Sequence, residues 1–323
     1  MKKILLYTVI IVLLAGCIKE QSKKINPLPS SAEILFLSNM DTGSQGREIY
    51  SMSADGSNVT RITYTGGYYR LLGIDVTRRY IVVTKKDRDT GKKSLWLIDL
   101  RKGEEKRLTD PENNAEGDSF SPDGEWIVFY MTLSDESQSD IYKIRIDGTS
   151  LTRLTYTDDM EADPCWSNDG SKIAFISYSG EIKRFVLKIM DQDGRNMRTI
   201  YDCRDNISTK YFPPGAYDPS WSPDDQWIVF EKPVKGNEEN AGAGVWHIFK
   251  IRSDGTDLID LSEAGGHTGM AEYLPSFSAD GEFILFSARY DSQIDIFIMD
   301  KNGGSLKKLT DKPSYEEFAI WIK

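Results

Sequence analysis

The chain has 323 residues, 39% of them hydrophobic and 11% aromatic, enough to bury a sizeable core in one large domain or two ordinary ones. Its 50 Asp and Glu outnumber 40 Lys and Arg, for a formal net charge of −10. An acidic protein repels phosphate backbones, so nucleic acid is excluded as the expected partner.

In chain order, the first segment is "MKKILLYTVIIVLLAGC". Lys2 and Lys3 precede an apolar run from Ile4 to Leu14, which is short for a membrane span and fits an export signal. It ends in "LAGC", which resembles a bacterial lipobox. That resemblance implies cleavage before Cys17 and acylation of this cysteine. Residues 1–16 are thus expected to be a lipoprotein signal peptide. Residues 17–32, with "KEQSKK" and "NPLPSS", would be the lipidated cysteine and a flexible tether, and 33–323 the folded domain. Losing Lys2 and Lys3 leaves 38 basic against 50 acidic residues, or −12. The expected location is exported, on the periplasmic or extracellular face, with the membrane reached through the lipid alone. Cys165 and Cys203 remain, expected as free thiols because one falls on an inner strand and the other just past an outer one.

From residue 33 onward one short text recurs. "FSPDGEWIVFY" at 120–130 returns as "WSNDGSKIAFI" at 166–176, "WSPDDQWIVFE" at 221–231 and "FSADGEFILFS" at 277–287. The position of Ser121 is matched by Asp75, Ser167, Ser222, Ser278 and Ile322. A second anchor ends each unit, at Thr63, Thr109, Thr155, Tyr201, Ser262 and Thr310. Two anchors keeping one beat of about 46 residues establish a repeat. Within a unit, "SPDG" is turn chemistry and "EWIVFY" a strand apolar on both faces. "IYKIRIDG" is a strand ending in a hairpin signal, and "LTRLT" closes the unit. No later segment keeps a helical period.

The expected fold is therefore all-β: a six-bladed β-propeller of four-stranded antiparallel blades. Blade one lacks an inner strand at "EILFLS", and the C-terminal "EFAIWIK" supplies it, which closes the ring and removes open sheet edges. The Asp-Gly pairs at Asp55, Asp147, Asp193 and Asp254 read as hairpin turns. Trp166, Trp221 and Trp321 share one position and read as packing.

The text "FSPDGEWIVF…DIYKIRIDGTSLTRLT" resembles the TolB-like propeller repeat, also called the WD40-like or PD40 repeat, over residues 33–323. Blade two departs from it, with "DVTRRY" in place of the turn motif. The amino-terminal α/β domain that accompanies the TolB propeller finds no room between Cys17 and Glu33. The resemblance implies a cell-envelope scaffold that binds a protein or peptide, such as a peptidoglycan-associated lipoprotein, as a monomer without catalysis.

Function is expected where the repeats differ. Three insertions, "CRDNISTKYFPPGAY", "EKPVKGNEENAGAG" and "EAGGHTGMAEYL", fall on the face that carries the second-to-third strand loops and the links between blades. They offer Tyr211, Phe212, Tyr217, His267, Met270 and Tyr273 for partner capture. The same face is expected to gather an acidic channel rim of Asp118, Glu161, Asp163, Asp218, Glu272, Glu316 and Glu317. Such a rim could steer a basic peptide or hold Ca²⁺. No cofactor is expected, since no ligand spacing stands out and turn chemistry accounts for the Asp-Gly pairs. The alternative is a carbohydrate-active or hydrolytic enzyme, or a glycan binder, working on that acidic face. The repeat is similar to that of oligogalacturonate lyases, which hold a metal with several histidines, whereas this chain has His247 and His267 alone. It also lacks a G-x-S-x-G elbow.

Overall fold

The computed structural model describes residues 24–43, 46–67, 69–133, 138–205, 207–209, 212–236, 244–290 and 292–322. Cys17, Tyr211 and residues 237–243 of the second insertion lie outside them. Almost every element is a strand, and the sheets are four-stranded antiparallel meanders, two of them joined into one eight-stranded sheet. Blade one consists of Glu316–Trp321, Ile34–Ser38, Glu48–Met52 and Thr60–Arg61. The inner strands of the next five units are Tyr69–Ile74, Asn114–Phe120, Met160–Trp166, Tyr217–Trp221 and Ala271–Phe277. Each inner strand touches the next, and Glu316–Trp321 touches both Ala271–Phe277 and Tyr69–Ile74, so the ring closes. The closing register pairs Ile34 with Trp321 and Ser38 with Glu316.

The repeated turn text acts through its side chains. Ser121 Oγ donates to Asp123 and accepts from Trp126 N–H, while Asp123 also accepts from Glu125 N–H. The sets Ser167–Asp169, Ser222–Asp224 and Ser278–Asp280 repeat the arrangement. Blade two reaches the same turn by other means: the Asp75 carboxylate alone accepts from the N–H groups of Thr77, Arg79 and Tyr80. The unit-ending hydroxyls are structural too. Thr63, Thr109, Thr155, Ser262 and Thr310 each accept from a third-strand N–H fourteen residues earlier.

Apolar side chains fill the spaces between blades. Phe36, Phe129, Phe175, Phe230 and Phe286 are fully buried second-strand residues. Single parallel bridges from Phe185 to Gly215, Trp246 to Ala271 and Ile294 to Tyr315 also tie neighbouring blades.

Two features differ from expectation. The tether does not run free as far as residue 32, because Lys24–Ile25 pairs with Tyr64 and Thr63, and Ile25 and Leu28 pack on a core cluster. One helical turn, Leu261–Gly265, lies in the link to blade six. Its Asp260 cap accepts from Glu263 N–H.

Candidate functional site

The channel along the ring axis is shaped by one irregularity repeated in the inner strands. Register shifts fall between Glu116 and Ser119, Ala162 and Cys165, Tyr217 and Ser220, and Tyr273 and Ser276. At each bulge one residue takes a positive φ: Gly117 (147°), Asp163 (50°), Asp218 (46°) and Leu274 (59°), matched in the closing strand by Phe318 (55°). A left-handed residue within a strand turns its side chain out of the alternating pattern, here into the channel. Gly117 has a second constraint, since a Cβ there would sit 2.7 Å from Phe129 Cα.

On the link side of the bulges lies a mixed-charge cluster. Arg70 approaches Glu116 at 3.5 Å, Lys93 pairs with Glu116, and Arg47 pairs with Glu317. Burial raises the Glu317 carboxyl, while Arg47, Arg289 and Arg70 oppose the rise. Asp218 and Glu231 are hydrogen-bonded to each other. Burial pushes Asp218 up to about 6, with Glu116 adding to the shift. Glu231 rises further, through burial and then the Asp218 charge, although its Oε2 accepts from Leu274 N–H at 2.7 Å. Two buried carboxyls in contact cannot both ionise easily, so the pair favours holding a proton between them.

On the other side of the bulges the channel widens into a cavity of about 420 Å³. Its walls include Phe120, Trp166, Trp221, Phe277 and Trp321, and its floor includes Asp163 and Asp218. First-strand turn residues Val76, Pro122 and Asn168 edge the opening, which therefore lies on the turn face. Trp166 and Trp221 pack between blades as expected, yet each also gives an edge to the cavity.

A family model described as the TolB beta propeller domain matches residues 77–216. A second, the prokaryotic membrane lipoprotein lipid attachment site, matches residues 1–17. Residues 77–216 thus carry TolB-type propeller sequence, and residues 1–17 a lipoprotein attachment site. A TolB homolog of Chlorobium chlorochromatii is 29% identical over 149 residues, which are 45% of this chain and 31% of that protein. An uncharacterized protein of Agrobacterium fabrum is 32% identical over 136 residues, 40% of this chain and 44% of the other. Each match thus spans less than half of the relative's length. The crystal structure of TolB from Acinetobacter baumannii aligns with a TM-score of 0.69 at 17% identity. That alignment covers 90% of this chain and 67% of the other, a likeness of fold. The attachment site and the TolB homologues make this an exported, lipid-anchored envelope protein. Among the described residues no helix is long and apolar enough to cross a membrane.

The propeller places the expected site residues in three different settings. Asp163 and Asp218 line the channel, and Glu317 belongs to its charged cluster. Asp118 is on the blade-three inner strand, with its side chain outside the described residues. Glu161, Glu272 and Glu316 form no rim, because all three are fully buried. Glu161 accepts from Thr155 and Thr157, Glu272 from Ser262, and Glu316 from Ser38 and Ser314, latching each link to its blade.

Among the described insertion aromatics, Tyr217 and Tyr273 are largely spent on packing, whereas Phe212 stays 46% exposed. Tyr217 is buried, donates to Pro213 O at 2.7 Å, and meets Phe185 and Trp246 with ring centroids 5.0 and 5.3 Å away. Phe212 lies edge-on to Tyr217 and Trp246, with ring centroids 5.8 and 5.3 Å away. Met270 packs against the cluster between blades five and six. Tyr273 sits beside Glu317 and Arg289 in the channel, where burial raises its phenol. His267 is buried, with Nδ1 2.6 Å from Glu272 and Nε2 donating to Gly303 O at 3.1 Å. That carbonyl can only accept, so Nε2 carries a proton. Burial lowers the imidazole pKa, but Glu272 outweighs it and leaves a net rise.

Cys165 and Cys203 are free thiols, and burial pushes Cys203 up to about 11. Among the described residues, no three His, Cys, Asp or Glu side chains are grouped to hold a metal ion. Sequence reasoning missed Arg70, Glu231 and Arg289, which sit on different strands and share no motif.

Proposed function

We propose that this TolB-type propeller is a non-catalytic, membrane-tethered docking module that receives a basic segment of an envelope protein at its channel mouth. The observation that carries this reading is the cavity with aromatic walls and two aspartates on its floor. A Lys or Arg stem can lie along indole and phenyl faces while its charged head reaches Asp163 and Asp218. Interface hot spots are enriched in Trp, Tyr and Arg seated in well-packed pockets, which is the kind of surface these walls offer an Arg. This reading moves the contact surface from the insertion-bearing face to the turn face. There the cavity is open, whereas Tyr217 on the other face is buried in its own fold and Phe212 alone of the pair keeps an exposed edge.

The test uses the full lipidated chain in envelope extract, comparing wild type with an Asp163→Asn/Asp218→Asn variant. Neither substitution changes side-chain volume much. The expected result is an envelope protein retained by the wild type and lost by the variant at equal folded content. Equal recovery by both would remove the channel mouth from the interface.

A second reading, a hydrolytic or carbohydrate-active enzyme, is favoured by one observation: the proton-sharing Asp218–Glu231 pair behind the cavity floor. It requires turnover of a glycan or peptide that Glu231→Gln abolishes.

A further inference from the structure

The docked start of the propeller fixes where the bilayer can lie. Lys24 pairs with Tyr64 at the point where the chain leaves the outer strand of blade one and crosses to blade two. That crossing begins at residues 65–67, on the link face. Six residues lie between the acylated Cys17 and Lys24, seven Cα steps with a reach of about 25 Å at full extension. An inner strand such as Met160–Trp166 alone spans about 23 Å across the disc. The lipid is therefore short-tethered to one edge of one face.

That edge differs in charge from the rest of the protein. The second-to-third strand loop of blade two, 85–93, holds Lys85, Lys86, Arg88, Lys92 and Lys93 against Asp87 and Asp89. The tether adds Lys19, Lys23 and Lys24 against Glu20. Blade three's equivalent stretch, 131–140, has Asp135, Glu136 and Asp140 with no base. Lys85, Lys92 and Lys93 pair with Glu105, Glu112 and Glu116, whereas Lys86 and Arg88 are exposed and make no ion pair among the described residues. Arg88 reaches Gly66 O of the link at 3.5 Å, which sets the basic loop beside the tether's docking site. A groove of about 600 Å³ runs between them, lined in part by Gly66, Lys86, Arg88, Lys92 and Trp96.

We propose that the protein rests on the membrane by the link-face edge of blades one and two, with Lys86 and Arg88 toward anionic lipid headgroups. The aromatic channel mouth then opens away from the bilayer. Cations beside an acyl anchor add a second, charge-based attachment to an anionic surface, and two attachments set an orientation that one lipid leaves loose. This orientation is independent of what the cavity binds.

The test places one dye at a time on the full lipidated protein, through Asp89→Cys on the link side or Glu125→Cys on the turn face. Both sites are exposed. The background is Cys165→Ser. Cys203 is buried with a raised thiol pKa and does not compete for maleimide. Energy transfer is read to a headgroup acceptor in phosphatidylcholine vesicles with and without phosphatidylglycerol. The expected result is stronger transfer from position 89 than from 125 with phosphatidylglycerol, and a smaller difference in Lys86→Glu/Arg88→Glu. Equal transfer from the two sites, or stronger transfer from 125, overturns the orientation. A difference indifferent to both phosphatidylglycerol and charge reversal overturns the headgroup contact.

Discussion

Replacing Asp225 by glycine should destabilise the propeller, although glycine is what the repeat places there in three other blades. Asp225 stands where Gly124, Gly170 and Gly281 stand, and holds φ at 57° against their 71°, 73° and 72°. Glycine would relieve a left-handed cost of roughly 1 kcal/mol and add an entropic cost of about the same size. These two effects nearly cancel. What remains is the carboxylate, which bridges blades: it accepts from Asn168 N–H at 2.7 Å, Asn168 Nδ2 at 3.0 Å and Asp169 N–H at 2.9 Å. Each such bond is worth about 0.5–1.5 kcal/mol net, and the site is half-buried, so water replaces part of what is lost. The expected destabilisation is about 2 kcal/mol. Urea unfolding followed by tryptophan fluorescence measures it, and combining the change with Asn168→Ala should give less than the sum of the two single effects. An Asp225→Gly protein as stable as wild type would refute the bridge, and additivity with Asn168→Ala would refute its Nδ2 bond.

The His267–Glu272 contact should stabilise at low pH. The folded imidazole pKa lies above its ordinary 6.5, so the contribution is full below about pH 6.5 and fades as pH rises through the folded value. Wild type and His267→Gln should therefore differ most in unfolding free energy under acid conditions, and a gap widening with pH would contradict this. Asp218 has the reverse consequence for its removal. Its carboxyl is raised to about 6, so keeping it charged costs stability above that pH, and Asp218→Asn should gain stability at pH 8 relative to pH 4. A variant with the same offset from wild type at both pH values would rule out the buried pair. Deleting residues 316–322 removes the inner strand paired with the fully buried Ile34 and Leu35, and should abolish cooperative unfolding. Unchanged unfolding would disprove the closure.

The fold was readable because its determinants are local and repeated. Ser121, Asp123 and Gly124 specify a turn through bonds spanning five residues, and the same bonds recur wherever the text does. Even the departure at "DVTRRY" follows the rule, since Asp75 supplies the acceptors that Ser and Asp share elsewhere. The channel was less readable because it is built at one bulge position whose occupants, Gly117, Asp163, Asp218, Leu274 and Phe318, range from glycine through aspartate to large apolar residues. A faint mark was present: Pro164, Pro219 and Pro275 each follow the bulge residue. Glu161, Glu272 and Glu316 misled for a related reason. A carboxylate near a strand start reads as exposed until its hydroxyl partners are known, and Thr155, Ser262 and Ser38 come from other strands or links. Tyr217 looked available for binding because sequence shows that it is present, not that Phe212 and Trp246 pack against it.

The most direct test of the docking account is a photo-crosslinking amino acid placed at Val76, which is 55% exposed at the cavity mouth, in living cells that make the full lipidated chain. Tyr156, 74% exposed on the link face, serves as the comparison site. The account predicts a discrete protein adduct at position 76 that disappears with Asp163→Asn/Asp218→Asn, and none at position 156. An adduct at 156 with nothing at 76 would contradict it and return the interface to the insertion-bearing face.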